Sequence, residues 1–366
     1  MEKRISRGEI LKDMGLTNEE HQLAQSCGIE PMRGSGSYVF VDNRKVVERI
    51  NEKYRGIVEI MDINDALKKY DGLKEYYWKL VDPNKNEFTK MAIKPDGGYF
   101  IRVFKNQCLE LPLESCIILH RGREQHLHNI VIAEEGSSVT IMSGCTAHNS
   151  LIDGLHVGVS EFFVGKNATV NFTMVHNWNE TTVVRPITAI KVEEGGTYIS
   201  NYLCMKSAKD IKTAPHANCS KNSKAIFNTV LYGKKDSLID IGEEIELNGD
   251  NSVGEINSRA ILEADSKIIT RGKIIGASKS KGHIECRGIV LSDEAELRSI
   301  PEIDAKNSGV DLSHEAAIGK IAEKELLYLM SRGLDKDKAT SLIVSGFLNM
   351  PMPGVPEWVK VEISGK

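Results

Sequence analysis

Six times between residues 135 and 268 the chain repeats one local phrase, a turn of small or acidic residues leading into a β-prone run. It occurs at Glu135-Gly136-Ser137-Ser138-Val139, Gly165-Lys166-Asn167-Ala168-Thr169-Val170 and Glu194-Gly195-Gly196-Thr197-Tyr198. It returns at Lys235-Asp236-Ser237-Leu238, Gly249-Asp250-Asn251-Ser252-Val253 and Ala264-Asp265-Ser266-Lys267-Ile268. The apolar landing positions 139, 170, 198, 238, 253 and 268 are 31, 28, 40, 15 and 15 residues apart, and all but the 40 lie near multiples of about 15. A near-regular rise of short strands and turns is what a solenoid requires, because each coil satisfies the strand hydrogen bonds of its neighbours. The spacing therefore predicts a parallel β-helix. A β-sandwich, whose strands also recur at short intervals, is the rival.

The solenoid reading covers residues 97–305, where long helical patterns are nearly absent. Residues 1–96 read as a small helical or α+β region. Ser6 with Glu9, and Thr17 with Glu20, have the form of capping boxes. Residues 46–50 and 64–80 carry helical patterning, with Asp62 or Asn64 as caps and Asp82-Pro83 as a stop. After Pro301 the pattern is expected to turn helical, giving a C-terminal helical region over 306–366. Ala316 to Met330 is rich in Ala, Glu, Lys and Leu, and Gly333 is a natural stop. Asp335 or Asp337 opens a second helix to Phe347, closed by Pro351 and Pro353.

No stretch approaches 18 apolar residues, so no membrane span is expected, and the charged start, Met1 to Gly8, is not followed by an apolar signal core, so no secretory leader is expected. A formal charge of −4 gives no global pull toward nucleic acid or anionic membrane. Seven scattered cysteines, an odd number without any CxxC pair, argue for a reducing cytoplasm and against a disulfide framework or zinc ribbon.

Several enzyme signatures are missing: GxxxxGK[ST], a dinucleotide fingerprint, HExxH and GxSxG. No nucleotide is therefore expected to bind directly. His126-Leu127-His128 would set two imidazoles on one face of a strand, and His216 with Cys219 would share a metal only if their loop folded back. The acidic density at Asp240, Glu243, Glu244, Glu246 and Asp250 leaves a β-helix carbohydrate-active enzyme as one alternative.

Two long strings carry a resemblance. The run from His128-Asn129-Ile130 through Glu135-Gly136-Ser137-Ser138 to Gly144-Cys145-Thr146-Ala147 is similar to the central β-helix of the SufB/SufD family, and continues through Leu155-His156, Glu161-Phe162-Phe163 and Val175-His176-Asn177-Trp178. The tail, from Pro301-Glu302-Ile303 through Ser313-His314-Glu315-Ala316 and Ser331-Arg332-Gly333 to Gly346-Phe347, resembles the same family. The Gly-Cys-Thr-Ala and Val-x-Asn-Trp strings favour the SufB-like side, in a short form.

The resemblance implies a right-handed parallel β-helix with helical ends. It implies a scaffold, not an enzyme in itself, for de novo assembly of a transient iron–sulfur cluster of the 4Fe–4S type. The implied partners are a SufC-like ABC ATPase, a sulfur donor such as a cysteine desulfurase or sulfide, apo iron–sulfur proteins, and a second copy of the chain in a homodimer. Cys145 lies where SufB-like proteins place the cysteine thought to receive sulfur. His314 and Glu315 fall where the family's nascent cluster is thought to form at the dimer interface. The family carries a late cysteine before its final Pro-containing motif; this chain has none in the short connection there, and Cys286 is the nearest thiol. A passive partner of the ATPase, without its own cluster site, is the other reading left open.

Overall fold

The computed structural model describes residues 15–31, 33–206 and 208–352. Two ten-stranded sheets face each other and form a parallel β-helix. The first sheet runs, in spatial order, β2 (Arg44–Ile50), β1 (Gly36–Val41), β5 (Leu113–Leu119), β7 (Ser138–Ala147), β9 (Thr169–Asn177), β11 (Thr197–Lys206), β14 (Lys224–Gly233), β16 (Val253–Leu262), β18 (Lys281–Val290) and β20 (Asp311–Gly319). The second runs β19 (Glu296–Ala305), β17 (Lys267–Gly276), β15 (Leu238–Leu247), β12 (Asp210–Thr213), β10 (Val183–Val192), β8 (Leu155–Val164), β6 (Glu124–Ala133), β4 (Tyr99–Val103) and β3 (Val58–Asp62). β13 (His216–Cys219) continues the rung of β12 between β10 and β15. Only the β1–β2 and β3–β4 pairs are antiparallel among the described strands. This parallel register excludes the sandwich.

Register explains the repeat. Ser138, Thr169, Thr197, Lys224, Val253 and Lys281 are successive partners across the first sheet, so one coil takes 31, 28, 27, 29 or 28 residues. The spacing of about 15 is half a coil, one crossing from sheet to sheet. All six landing positions lie in strands. The interval of 40 passes over β12 and β14.

The turns have a shared chemistry. Gly136, Asn167, Gly195, Asn222, Lys235, Asn251 and Ala264 all have φ between 53° and 70°, one in each of the turns that feed β7, β9, β11, β14, β15, β16 and β17. That left-handed conformation favours Gly and Asn, which is why the phrase is written in small and polar residues. The turns also stack: the N–H groups of Gly136, Asn167, Gly195 and Asn222 donate to the carbonyls of Lys166, Glu194, Lys221 and Asp250 in the next coil.

Side chains alternate between the lumen and the outside. The lumen is filled by a continuous core including Tyr38, Tyr99, Phe162, Tyr198, Phe227, Ile256 and Ile284. Helix α1 (Asn18–Ser26), opened by the expected Thr17/Glu20 capping box, lies on the outer face of the first sheet. Helix α2 (Ile63–Lys69), capped by Asp62, and the short α3 (Glu87–Met91) lie with their flanking turns on the second. The chain ends in α4 (Glu323–Ser331) and α5 (Lys336–Leu348). α5 buries Ala339, Val344 and Leu348, while α4 buries none of its residues. No helix among the described residues is long and apolar enough to cross a membrane.

Three local expectations are corrected. Residues 46–50 form strand β2, because β1 offers them an antiparallel partner. Pro301 does not end the strands: it sits in β19, an edge strand, where a missing N–H costs least. Ala316 to Gly319 are strand, not helix, because Cys286 to Ile289 hold them in register, and α4 begins only at Glu323. The Ser6/Glu9 box, the residues from Met1 to Gly8 and Pro353 lie outside the described residues.

Candidate functional site

The lumen face of the first sheet carries two adjacent columns of chemically useful side chains. One column aligns Ile117, Cys145, His176, Cys204 and Leu231 on successive strands. The next aligns Ser143, Met174, Tyr202, Thr229, Ser258, Cys286 and Ala316.

Cys145, on β7, is 2% exposed. Its Sγ lies 3.7 Å from the Met174 thioether, and the Cys27 thiol at the end of α1 approaches its carbonyl at 3.6 Å. Burial pushes the Cys145 thiol well above its ordinary value, and Cys27 adds to the effect. Cys145 borders a cavity between the sheets shared with Tyr99, His156, His176, Tyr202 and Glu243. Burial drives His156 and His176 down to about 3 and lifts Glu243 to about 7, although the Thr229 hydroxyl at 2.6 Å opposes the last shift. The lumen thus favours neutral groups, as a low-dielectric interior must.

Cys286, His314 and Glu315 lie on neighbouring strands at the other end, with Cys286 and His314 on one face of the sheet and Glu315 on the other. Cys286 on β18 is the register partner of Ala316 on β20, so His314 and Glu315 lie diagonally across from it. His314 shares a column with the fully buried Ile284, yet is itself exposed, because β20 is the last strand of its sheet. Glu315 occupies the alternate face, where the Arg287 guanidinium bridges Glu285 at 2.9 Å and Glu315 at 3.6 Å. Cys145 is not part of this group. Five strand steps separate β7 from β18, roughly 24 Å at about 4.8 Å per step.

The remaining sequence candidates are dispersed. Cys204 and Cys219 are buried, and burial pushes both thiols up to about 12. Cys219 points inward from β13, whereas His216 joins Glu244 and Glu246 on the outside, so the two do not share a site. His126 faces Asp96 and Glu124, while His128 is bound 2.8 Å from buried Glu161. Trp178 is core, as expected. Sequence reasoning missed a cluster of Glu19, His120 and His148 at the opposite end of the solenoid from β20. It also missed an asparagine ladder, in which Asn257 donates to Asn228 at 3.1 Å and Asn228 to Asn201 at 3.0 Å.

The helical hairpin leaves apolar surface uncovered. Leu327 is 56% exposed, Tyr328 60% and Leu342 55%.

Residues 117–347, which include Cys145, Cys286, His314 and Glu315, match the family described as "SUF system FeS cluster assembly, SufBD core domain". An iron-sulfur cluster assembly SufBD family protein of Archaeoglobus fulgidus is 46% identical over 352 residues, covering 96% of this chain and 95% of that relative. One from Methanothermobacter thermautotrophicus is 39% identical over 364 residues, 97% of this chain and 88% of the relative. One from Pyrococcus horikoshii is 36% identical over 313 residues, 84% and 70% of the two chains. With the parallel solenoid and this continuous match, the chain belongs to the SufB/SufD family of iron–sulfur cluster assembly scaffold proteins.

Proposed function

We propose that the chain is a SufB-like scaffold that builds a 4Fe–4S cluster as a homodimer and passes it to apo iron–sulfur proteins. The observation that carries this reading is the open end of the solenoid. β20 pairs with β18 on one side and leaves its other edge open among the described strands, with exposed His314 on the same face as Cys286 and exposed Glu315 on the opposite one. Soluble proteins rarely leave such an edge bare, since its free N–H and C=O groups template pairing with another chain. Pairing with a second copy would bring two His314 imidazoles, with the Cys286 thiols one strand behind them, to one face of the joined edge and two Glu315 carboxylates to the other. Mixed ligation weaker than four thiolates suits a cluster that must leave.

Sulfur would enter at Cys145 as the outer sulfur of a cysteine desulfurase persulfide, passed to the Cys145 sulfur with release of the donor thiolate, whereas free sulfide would join iron directly without residing on Cys145. The inter-sheet cavity runs from Cys145 past Tyr202 to Thr229 and Glu243, in the direction of the Cys286 end, which supports movement of sulfur inside the lumen. A SufC-like ABC ATPase would dock on α4 and α5, where Leu327, Tyr328 and Leu342 are exposed, and would hydrolyse ATP on its own chain. Seven cysteines outside any disulfide suit a reducing cytoplasm.

Burial of six of the seven thiols supports a second reading, a passive partner of the ATPase. Reconstitution with ferrous iron and sulfide under anaerobic conditions separates the two. Wild type should develop charge-transfer absorbance near the visible region, and His314→Ala combined with Glu315→Ala should lose most of it. Equal absorbance in both proteins would move cluster binding away from β20.

A further inference from the structure

We propose that Glu19, His120 and His148 form a binding site for one divalent first-row transition-metal ion, which ties helix α1 to strands β5 and β7. The site lies at the N-terminal end of the solenoid, six strand steps from β20, and stands independently of the assembly reading.

The β-helix itself creates the histidine pair. His120 follows Leu119, the last residue of β5, and His148 follows Ala147, the last of β7. Leu119 and Ala147 are register partners, and the His148 N–H donates to the Leu119 carbonyl at 2.9 Å, extending the ladder by one residue. The two imidazoles therefore occupy the same corner of successive coils, with ring centres 5.0 Å apart.

Helix α1 supplies the carboxylate. Its capping box fixes the first turn, where Glu19 lies, and close seating of Cys27 against Gly144 fixes the other end. Glu19 Oε1 then lies 2.5 Å from His148 Nε2, and Oε2 lies 3.3 Å from His120 Nε2. One ligand atom from each of the three residues falls within 4.8 Å of the other two. An ion held at about 2.0–2.2 Å from each donor fits that span with small side-chain adjustments, and leaves a coordination position for water. Two imidazoles and one carboxylate select zinc, ferrous iron, cobalt or nickel over magnesium or calcium.

The outer faces of the rings are provided for as well. His148 Nδ1 is 2.6 Å from the Ser150 hydroxyl, which can accept from a protonated Nδ1 and leave Nε2 free to ligate. The Ser150 N–H, 3.2 Å away, competes for the same nitrogen when the ring is in its other tautomer. His120 Nδ1 faces Glu20 Oε1 at 3.8 Å, and Glu20, 1% exposed, is held by the Arg44 guanidinium. Such outer partners orient imidazole ligands and raise their basicity.

Loading the site would restrain α1 along its length. Beyond Cys27, the Asn177 amide donates to the Ser26 hydroxyl at 2.6 Å, so the helix already backs the strands around Cys145. A metal at Glu19 would add a third anchor at the start of the helix.

The test is a titration of full-length, chelator-treated, reduced protein with Co2+ alone, followed by visible absorbance and by competition with a chromophoric chelator. Hydrogen exchange of α1 is measured in parallel. Wild type should bind one equivalent that Glu19→Gln and His148→Ala lose or bind at least about 100-fold more weakly, since even outer-partner losses cost 10–100-fold. Glu19→Gln keeps the size of the side chain and one acceptor oxygen while removing the charge and the second oxygen, and circular dichroism checks that the fold survives. His216→Ala should keep the equivalent, which separates this site from the His216, Glu244 and Glu246 group. Exchange in α1 should slow on Co2+ addition in wild type and not in Glu19→Gln. Unchanged stoichiometry and affinity in Glu19→Gln and His148→Ala, or absence of Co2+ binding by wild type at millimolar metal, would overturn the site and leave Glu19 as a hydrogen-bonded helix anchor.

Discussion

Leu327→Glu should weaken binding of the ATPase partner about 30- to 150-fold without unfolding the scaffold. Leu327 is 56% exposed on α4, a helix that buries none of its residues, so the substitution removes little internal packing. The hairpin stays attached through Ala339, Val344 and Leu348 of α5, and through the Arg259 guanidinium, which donates to the Phe347 carbonyl at 2.6 Å. Fully burying a leucine side chain is worth about 1.5–3 kcal/mol, and slightly more than half remains to be buried by a partner, or about 1–1.5 kcal/mol. Desolvating a carboxylate in the same groove costs at least as much again. The sum, about 2–3 kcal/mol, converts to the stated change in Kd. Calorimetric titration against the cognate ATPase measures it, with circular dichroism as the folding control. Charge reversals at Lys324, Arg332 and Lys338 extend the map, but Asp335 is a poor probe. Its carboxylate caps α5 by accepting from the Lys338 N–H at 2.8 Å and also pairs with the Lys338 ammonium at 3.0 Å. A Kd within threefold of wild type for Leu327→Glu would refute docking on this face.

Cys145→Ser should abolish desulfurase-supported cluster formation while costing about 1–3 kcal/mol in urea denaturation, because the new hydroxyl is buried facing the Met174 thioether, a weak acceptor; full activity would remove Cys145 from the mechanism. Glu161→Ala should cost about 3–5 kcal/mol, since the carboxylate accepts from the N–H groups of Trp78 at 2.8 Å, Leu80 at 2.5 Å and Val81 at 3.1 Å and pairs with His128. A loss below about 1 kcal/mol in chemical denaturation would show that water replaces those contacts. Burial raises the Glu243 carboxyl from 4.5 to about 7, so the folded state holds the proton more tightly than the unfolded chain between those values. Its contribution is fully present below about 4.5 and is lost as pH rises to about 7. Wild type should therefore lose stability relative to Glu243→Gln across that window, by about 3 kcal/mol at most, and parallel stability–pH curves would contradict the assignment.

The coil repeat was legible because the backbone imposes it on the sequence. Seven of the turns carry one residue at positive φ, and Gly136, Asn167, Gly195 and Asn251 supply it with the residue types that adopt it most readily. The rung at residues 210–219 was not legible, since Ala214-Pro215 breaks it into two four-residue strands. Ala316 to Gly319 was misread for a different reason. Local helix propensity is weak beside a ready-made parallel partner, and β18 supplies one. At the site, the resemblance singled out Cys145, Cys286, His314 and Glu315, but only register reveals that Cys286 shares a face with His314, that Glu315 lies on the other face, and that Cys145 is five strands away. Glu19, His120 and His148 were overlooked although one clue was present. His120 and His148 are 28 residues apart, one coil, so a periodic fold must stack them. Glu19 offers no such clue, because its place depends on how α1 packs.

Mössbauer spectroscopy of the homogeneous protein, reconstituted anaerobically with 57Fe and sulfide in the presence and absence of the ATPase, tests the scaffold assignment most directly. The account predicts a 4Fe–4S quadrupole doublet at one cluster per two chains. It predicts that Ile318→Glu, which places a charge on the exposed face of β20 where Ile318 is 44% exposed, abolishes that doublet together with dimerisation. Adventitious iron alone in wild type, with or without the ATPase, would contradict the scaffold reading and favour the passive partner.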